Sequence, residues 1–255
     1  MKGLKKLSLN KKGNDYIVGD IHGCYSLLMN KLYSINFDFE NDRLISVGDI
    51  IDRGAESFRC LSLLDEKWFH MVLGNHEEMM INCTIKGVRD NGMWHEFGGK
   101  WELQYDNLAS YAEYMDYTLP YGIEIERSDG KKIGVVHAEL GSESWDNVFS
   151  DENIEDNKMY LLWGRKNINT GAYGAVLGVD LLFVGHSVVN KKGEVFVSKR
   201  MRDENGEIFI KSEFVKFDHI ISDEKNVRFE NTIFTDLGML YTGEVVLYRL
   251  DGTPV

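Results

Sequence analysis

Five short apolar runs in this chain each stop at a side chain able to bind a metal, four of them just after or beside a glycine. Tyr16-Ile17-Val18 runs into Gly19-Asp20-Ile21-His22-Gly23, and Leu44–Val47 into Gly48-Asp49-Ile50-Ile51-Asp52-Arg53-Gly54. Phe69–Leu73 runs into Gly74-Asn75-His76-Glu77, Ile133–Val136 into His137, and Leu181–Val184 into Gly185-His186. Short apolar runs bounded by glycine read as buried strands. In open α/β sheets the carboxyl ends of such strands form the ligand crevice. Glycine lets the backbone turn sharply there and lets an ion or a phosphate come close. Asp20 and His22, two apart in an extended segment, are expected to point to the same side.

Between the runs lie helix-like segments. Leu27, Leu28, Leu32 and Ile35 share one face of a helix over 24–35, and Phe58, Leu61 and Leu64 recur at helical spacing over 56–67. A methionine-rich helix over 77–86 completes a βαβαβ pattern, which implies parallel strands in a layered sheet. Residues 88–120 carry aromatics and helical stretches such as Leu108–Met115, a helical excursion over one edge. Gly122–Arg127 and Lys132–Val136 flank Ser128-Asp129-Gly130 as a hairpin. From residue 193 the pattern is strand and turn, with a second hairpin from Glu194–Ser198 and Glu207–Phe214 around a solvated turn at 202–207. With two prolines and no repeat or obvious linker, residues 1–255 read as one α/β domain.

Composition narrows the classes of function. The net charge of −12 argues against a general nucleic-acid or membrane-surface partner, either of which needs a basic face. The five lysines of Lys2–Lys12 are interrupted by polar residues and lack the apolar core of a signal peptide. No apolar run approaches the ~20 residues of a membrane span. Cys24, Cys60 and Cys83 are odd in number and lack metal-site spacing, so they read as free thiols in a reducing compartment, and the chain as cytoplasmic.

The strand-end residues Asp20, His22, Asp49, Asn75, His137 and His186 amount to two carboxylates, three imidazoles and one amide. That oxygen and nitrogen set suits Mn, Fe, Zn or Co better than Ca or a thiolate zinc site. It is too large for one ion and sufficient for two if a carboxylate bridges. Two cations roughly 3.5–4 Å apart clamp a phosphoryl group and make a nucleophile of a shared water near neutral pH. The neutral Asn75 preserves the positive surplus that attracts phosphate.

The three glycine-bounded blocks resemble the signature blocks of the phosphoprotein phosphatase superfamily, and most of all its bacteriophage lambda-type serine/threonine phosphatases. The likeness continues through Val135-Val136-His137-Ala138, Leu162-Trp163-Gly164-Arg165 and Phe183-Val184-Gly185-His186. The resemblance implies a metallophosphoesterase fold, a central β-sandwich flanked by helices. It implies that Asp20 and His22 hold one divalent ion, that Asn75, His137 and His186 hold the other, and that Asp49 bridges, with Mn²⁺ the expected metal. His76, oriented by Asp52, is the implied general acid, and Arg53 and Arg165 the implied phosphate grips. The implied reaction is direct hydrolysis by a metal-activated water, without a phosphoenzyme. Residues 187–230 are longer than this type requires, and its Asp-Thr-Gly stands here as Asp236-Leu237-Gly238.

Taken singly, Asp49 and Asp52 are equally good helix caps, and a lone histidine after a strand is usually a packed one. Three blocks in this order, followed by two more histidines at strand ends, favour a site. His70, His95 and His219 lack that setting and read as structural or exposed. Gly171, Gly174 and Gly178 precede a strand where a dinucleotide fingerprint should follow one, so they read as a flexible loop. Gly98-Gly99, between Trp94 and Trp101, reads as a packed turn near the cleft. The leading expectation is a protein serine/threonine phosphatase acting on phosphoprotein or phosphopeptide. The alternative is a dinucleoside polyphosphate hydrolase or other small-molecule phosphoesterase. A phosphate-binding module without catalysis would be expected to lack a ligand or the His76–Asp52 pair, and this chain has both.

Overall fold

The computed structural model describes residues 3–88, 91–150, 152–172, 174–202, 208–223 and 226–255. Its first strand, β1 (Leu4–Leu7), lies inside the lysine-rich N-terminal stretch, where composition alone signals only a charged surface. Then β2 (Asp15–Val18), β3 (Arg43–Ser46) and β4 (Phe69–Met71) pair in parallel. Helix Tyr25–Ser34 connects the first two. The second connection is helical only over Ser57–Cys60 and tightens to a 3₁₀ turn over Leu61–Asp65. The i, i+3 spacing of Phe58, Leu61 and Leu64 serves that tighter turn, where such residues eclipse, as well as it serves an α-helix.

The hairpin of β5 (Gly122–Glu126) and β6 (Lys132–Val136) forms as expected, and β7 (Leu181–Val184) joins β6 in parallel. Next come the hairpin β8 (Glu194–Arg202) and β9 (Ile208–Lys216), longer than the sequence pattern suggested. The expected turn at 202–207 lies, beyond Arg202, outside the described residues. The short strands β10 (Ile221–Ser222), β11 (Val227–Phe229), β12 (Thr232–Phe234) and β13 (Leu247–Arg249) complete the chain.

Two mixed sheets result, ordered β1-β5-β6-β7-β12-β11-β10 and β13-β2-β3-β4, with β8–β9 a separate two-stranded ribbon. Alternation along the strands sorts side chains into layers. Ile17, Ile45, Ile123, Ile125, Ile133, Val135, Phe183 and Ile233 form the inner layer between the sheets. Their neighbours Val18, Leu44, Val136, Leu182, Val184 and Phe234 face the opposite way, into the larger core under the helices. Strands buried on both faces are continuous apolar runs, which is why they were legible. Removing the ring at the fully buried Phe183 is expected to cost about 3–5 kcal/mol.

Residues 91–118 are the helical excursion: helix Asn91–Glu96, a 3₁₀ turn Gly99–Gln104 and helix Ala109–Thr118, the last packed on helix Asn75–Thr84. No helix among the described residues is long and apolar enough to cross a membrane. The carboxyl ends of β2, β3, β4, β6 and β7, drawn from both sheets, converge on one side.

Candidate active site

The loops after β2 and β3 are zipped together by backbone. The amides of Ile21 and His22 both donate to the Asp49 carbonyl, at 3.0 and 2.9 Å, and Gly23 donates to Ile50. Five non-glycine residues of the region take left-handed backbone: His22, Asp49, Asp52, Arg53 and His186, with φ between 43° and 71°. Such conformations cost about 1–3 kcal/mol each and persist where the surroundings over-determine them. Asp20 and His22 do converge, with His22 Nε2 3.8 Å from Asp20 Oδ2. They meet because the chain turns at His22, rather than by the alternation of an extended segment.

Glu77 supplies much of that determination. It is fully buried and accepts the amides of Asp49, Ile50 and Gly74 at 2.9, 2.9 and 3.1 Å, tying two strand-end loops to one carboxyl group. Burial first, then the Asp49 carboxylate, pushes its pKa up to about 8. Gly74 is dictated by space, because a Cβ there would collide with Asp49 Oδ1.

Links between the sheets finish the cup. His137, directly after β6, reaches across so that its Nδ1 lies 2.9 Å from the Val47 carbonyl at the end of β3. The amide of His186, after β7, donates to both oxygens of Asp20, after β2. A Cβ at Gly185 would strike Asp20. His22 Nδ1 faces the Ile51 carbonyl at 3.0 Å. These carbonyls fix the tautomer of His22 and His137 and leave each Nε2 as a lone pair aimed inward.

All six residues expected to hold metal are thereby brought together, all buried. Two trios of ligand atoms, His22–Asp49–His76 and Asp49–His137–His186, each cluster within 4.8 Å and share Asp49. Asp49 Oδ2 lies 3.4 Å from His137 Nε2 and 3.8 Å from His22 Nε2. The Asn75 amide oxygen lies 2.8 Å from His137 Nε2 and 2.9 Å from His186 Nδ1, and His186 Nε2 has no partner. His76 enters the first trio through Nε2 alone, because its Nδ1 sits 2.6 Å from Asp52 Oδ2.

The donor set fits divalent cations. Lone pairs of His137 and Asn75 face each other with too few protons between them, beside a cluster of buried carboxylates. Burial first, then Asp236 and Asp49, raises the Asp20 pKa well above its ordinary value. Burial would also raise Asp49, but the surrounding imidazoles, His137 first, outweigh it and hold its carboxyl below the usual range. Burial, reinforced by neighbouring cations or imidazoles, depresses His22 and His186 well below the ordinary histidine pKa, and burial lowers His137 too. Burial thus drives the three rings toward the neutral form that metal ligation requires.

At the mouth, Arg53 is turned inward, its Nη1 2.7 Å from His22 Nε2 and its Nη2 3.1 Å from His76 Nε2. Arg165 donates to the His186 carbonyl at 3.3 Å. It is held there by Glu139, two residues past His137, which accepts the amides of Lys166 and Asn167 at the start of the following helix. Both arginines line a cleft of about 550 Å³.

Sequence reasoning missed the supports of Asp52. Trp94 Nε1 and Trp101 Nε1, both from the excursion, donate to its two oxygens at 2.8 and 2.6 Å. The Gly98 carbonyl accepts from the Arg53 amide, so Gly98-Gly99 is a packed turn at the cleft. The adjacent tryptophans were the available signal. Glu77 had one too, as an acid directly after the block's histidine. His70, His95 and His219 lie outside the cup, facing Lys5, Glu102 and the Ile168 carbonyl. Gly171 ends a short helix in the left-handed region.

Residues 16–190 match the calcineurin-like phosphoesterase family. Over 185 residues the chain is 36% identical to serine/threonine-protein phosphatase 2 of Salmonella typhimurium, covering 69% of this chain and 80% of that protein. A symmetrical bis(5'-nucleosyl)-tetraphosphatase of Buchnera aphidicola is 26% identical over 279 residues, covering 92% of this chain and 94% of that one. A solved structure described as a candidate diadenosine tetraphosphatase superposes with a TM-score of 0.59 at 20% identity, covering 100% of this chain and 97% of that chain.

Proposed function

The chain belongs to the calcineurin-like metallophosphoesterase family and is a phosphoester hydrolase, and from that premise we propose that its substrates are phosphoserine and phosphothreonine in proteins or peptides. One observation carries the reading of a monoesterase with a poor leaving group. The His76–Asp52 pair, braced by two indoles, presents His76 Nε2 3.8 Å from Asp49 Oδ2, at the same mouth as Arg53 and Arg165. The 36% identity to a serine/threonine phosphatase supports the choice of substrate.

Asp20, His22 and Asp49 would hold one divalent cation, and Asp49, Asn75, His137 and His186 a second, with Mn²⁺ the metal we assign. When bound, the cations supply positive charge at the phosphoryl oxygens and activate a water as the nucleophile. The protein's own groups do the rest. Arg53 and Arg165 bind and orient the phosphoryl group. Once Arg53 turns from His76 Nε2 to the phosphoryl oxygens, His76, protonated at Nε2, gives its proton to the departing serine or threonine oxygen. Asp52 fixes the ring through Nδ1, and its indole donors keep Asp52 in place. A cytoplasmic location belongs to the same proposal, since Cys24, Cys60 and Cys83 are not joined in disulfides.

A second reading, hydrolysis of dinucleoside polyphosphates, is favoured by the Buchnera relative, whose alignment spans nearly the whole of both chains. One purified preparation with Mn²⁺ separates the two. A kcat/KM for phosphoserine peptide above that for diadenosine tetraphosphate supports the first reading; the reverse order replaces it with the second.

A further inference from the structure

A second concavity borders the catalytic cleft. It encloses about 540 Å³ between the hairpin β8–β9 and helix Met239–Thr242, and its apolar lining is Val188, Val189, Phe196, Phe214, Leu237 and Tyr241. Val188, Phe196 and Tyr241 line the catalytic cleft as well, so cleft and recess form one continuous depression. The family match ends at residue 190, and β8 begins at Glu194.

Two features of the lining point to an occupant. Phe196, Phe214 and Tyr241 are 40%, 47% and 67% exposed, although Phe196 and Phe214 hold each other across the hairpin at 5.3 Å. Solvent-facing rings grouped in a concavity of ligand size are a binding surface more often than a neutral one. The side chains of Asn190, Lys191, Thr242 and Glu244 around them are already engaged. Asn190 donates to Glu194 and accepts the amides of Lys192 and Glu194. Thr242 bonds to the Gly238 carbonyl and accepts the Glu244 amide, while Lys191 pairs with Glu244. A purine base would find few partners for its ring nitrogens and amino group against such a lining, at the cost of their desolvation. A hydrocarbon or phenyl side chain has nothing to match.

We propose that this recess is a specificity subsite for an apolar side chain, best an aromatic one, that flanks the phosphorylated residue of a peptide substrate. The proposal rests on the protein-phosphatase reading. Continuity with the cleft places the side chain on the same peptide as the phosphoryl group. Phe214 is the cleanest probe, because it lines the recess and not the catalytic cleft.

The test uses the full chain with Mn²⁺ and a set of phosphoserine peptides. Each carries one phenylalanine at a different flanking position, against a reference with alanine throughout. At one position phenylalanine is expected to raise kcat/KM roughly tenfold to a hundredfold, the range for burying a phenyl ring. Phe214→Ala should remove most of that ratio and Phe214→Leu should restore part of it. Because both peptides are measured on the same enzyme, a general loss of activity cancels. Tyr241→Ala, from the opposite wall, is the second variant should the first not fold. Ready turnover of every peptide with no preference, or a preference that survives Phe214→Ala and Tyr241→Ala, overturns the subsite and leaves the phosphatase reading intact. Turnover of diadenosine tetraphosphate but of no phosphopeptide ends that reading and the subsite with it.

Discussion

Around Asp49, backbone amides, carbonyls and indoles hold each side chain at a stated atom, and five residues sit in strained backbone to make that possible. Around Phe214 there is a pair of strands, rings half open to water, and polar side chains such as Asn190 and Thr242 turned to their own neighbours. The cup is built from the ends of strands belonging to both sheets, so moving one ligand means moving a core. The recess hangs on a hairpin that pairs with neither sheet. The contrast separates chemistry from selection: reaction demands fixed geometry in a desolvated site, whereas accepting one apolar side chain demands only area and shape. A change in the cup should therefore strike every substrate, and a change in the recess only substrates large enough to reach it.

The largest test of that division is removal of metal. Chelation should abolish turnover of p-nitrophenyl phosphate and phosphopeptide alike, Mn²⁺ should restore both, and elemental analysis should find about two divalent ions per chain. Full activity in EDTA would end the metal assignment.

Next in size, His76→Asn should lower kcat by roughly 10²–10⁴-fold on a phosphoserine peptide, the range for a lost general acid, with metal content nearly unchanged. The loss should shrink on p-nitrophenyl phosphate, whose leaving group needs little protonation. Equal losses on both would recast His76 as a positioning group.

Trp101→Phe removes an indole donor to the Asp52 carboxylate and keeps a ring of similar shape. A loss of roughly tenfold, as for one hydrogen bond to a charged group, is expected in kcat rather than KM, again larger for the poorer leaving group. An unchanged leaving-group dependence would mean that Trp94 alone suffices to hold Asp52.

The smallest effect tests the recess side. Replacing Glu194–Lys216 by a short glycine-rich turn keeps Phe217 and Ile220, which pack on the core, and the edge strand after them. The resulting loss on a phosphopeptide should exceed the loss on p-nitrophenyl phosphate by about tenfold, the scale of one buried side chain. Equal losses would make the hairpin architecture only.

How much of this was legible in the chain depends on distance along it. Asp20 with His22, Asp49 with Asp52 and Arg53, and Asn75 with His76 are local blocks, each closing an apolar strand, so pattern and chemistry appear in one window. His137 and His186 stand nearly alone and were found because their strands were equally apolar. β1 escaped because Lys5 and Lys6 are exposed in it, and its pairing partner β5 lies more than a hundred residues away. Trp94 and Trp101 escaped for the same reason, as nothing near them in sequence names Asp52 as their acceptor.

The sequence by itself determined that strands of this chain would end in a collection of oxygen and nitrogen ligands, because two-faced burial imposes apolar runs and tight turns impose glycine. It also determined the His76–Asp52 pair, proposed as acid and orienting carboxylate, through the blocks that carry them. Only the tertiary structure decided which atoms face which. It brought the ends of two sheets together so that Asp49 serves two trios and the Val47 carbonyl sets the tautomer of His137. It also brought Phe196, Phe214 and Tyr241, scattered over more than forty residues, to the lining of one recess. The reason is physical: strand and turn propensities act between neighbours, while a cavity exists only where separate segments pack and leave space between them.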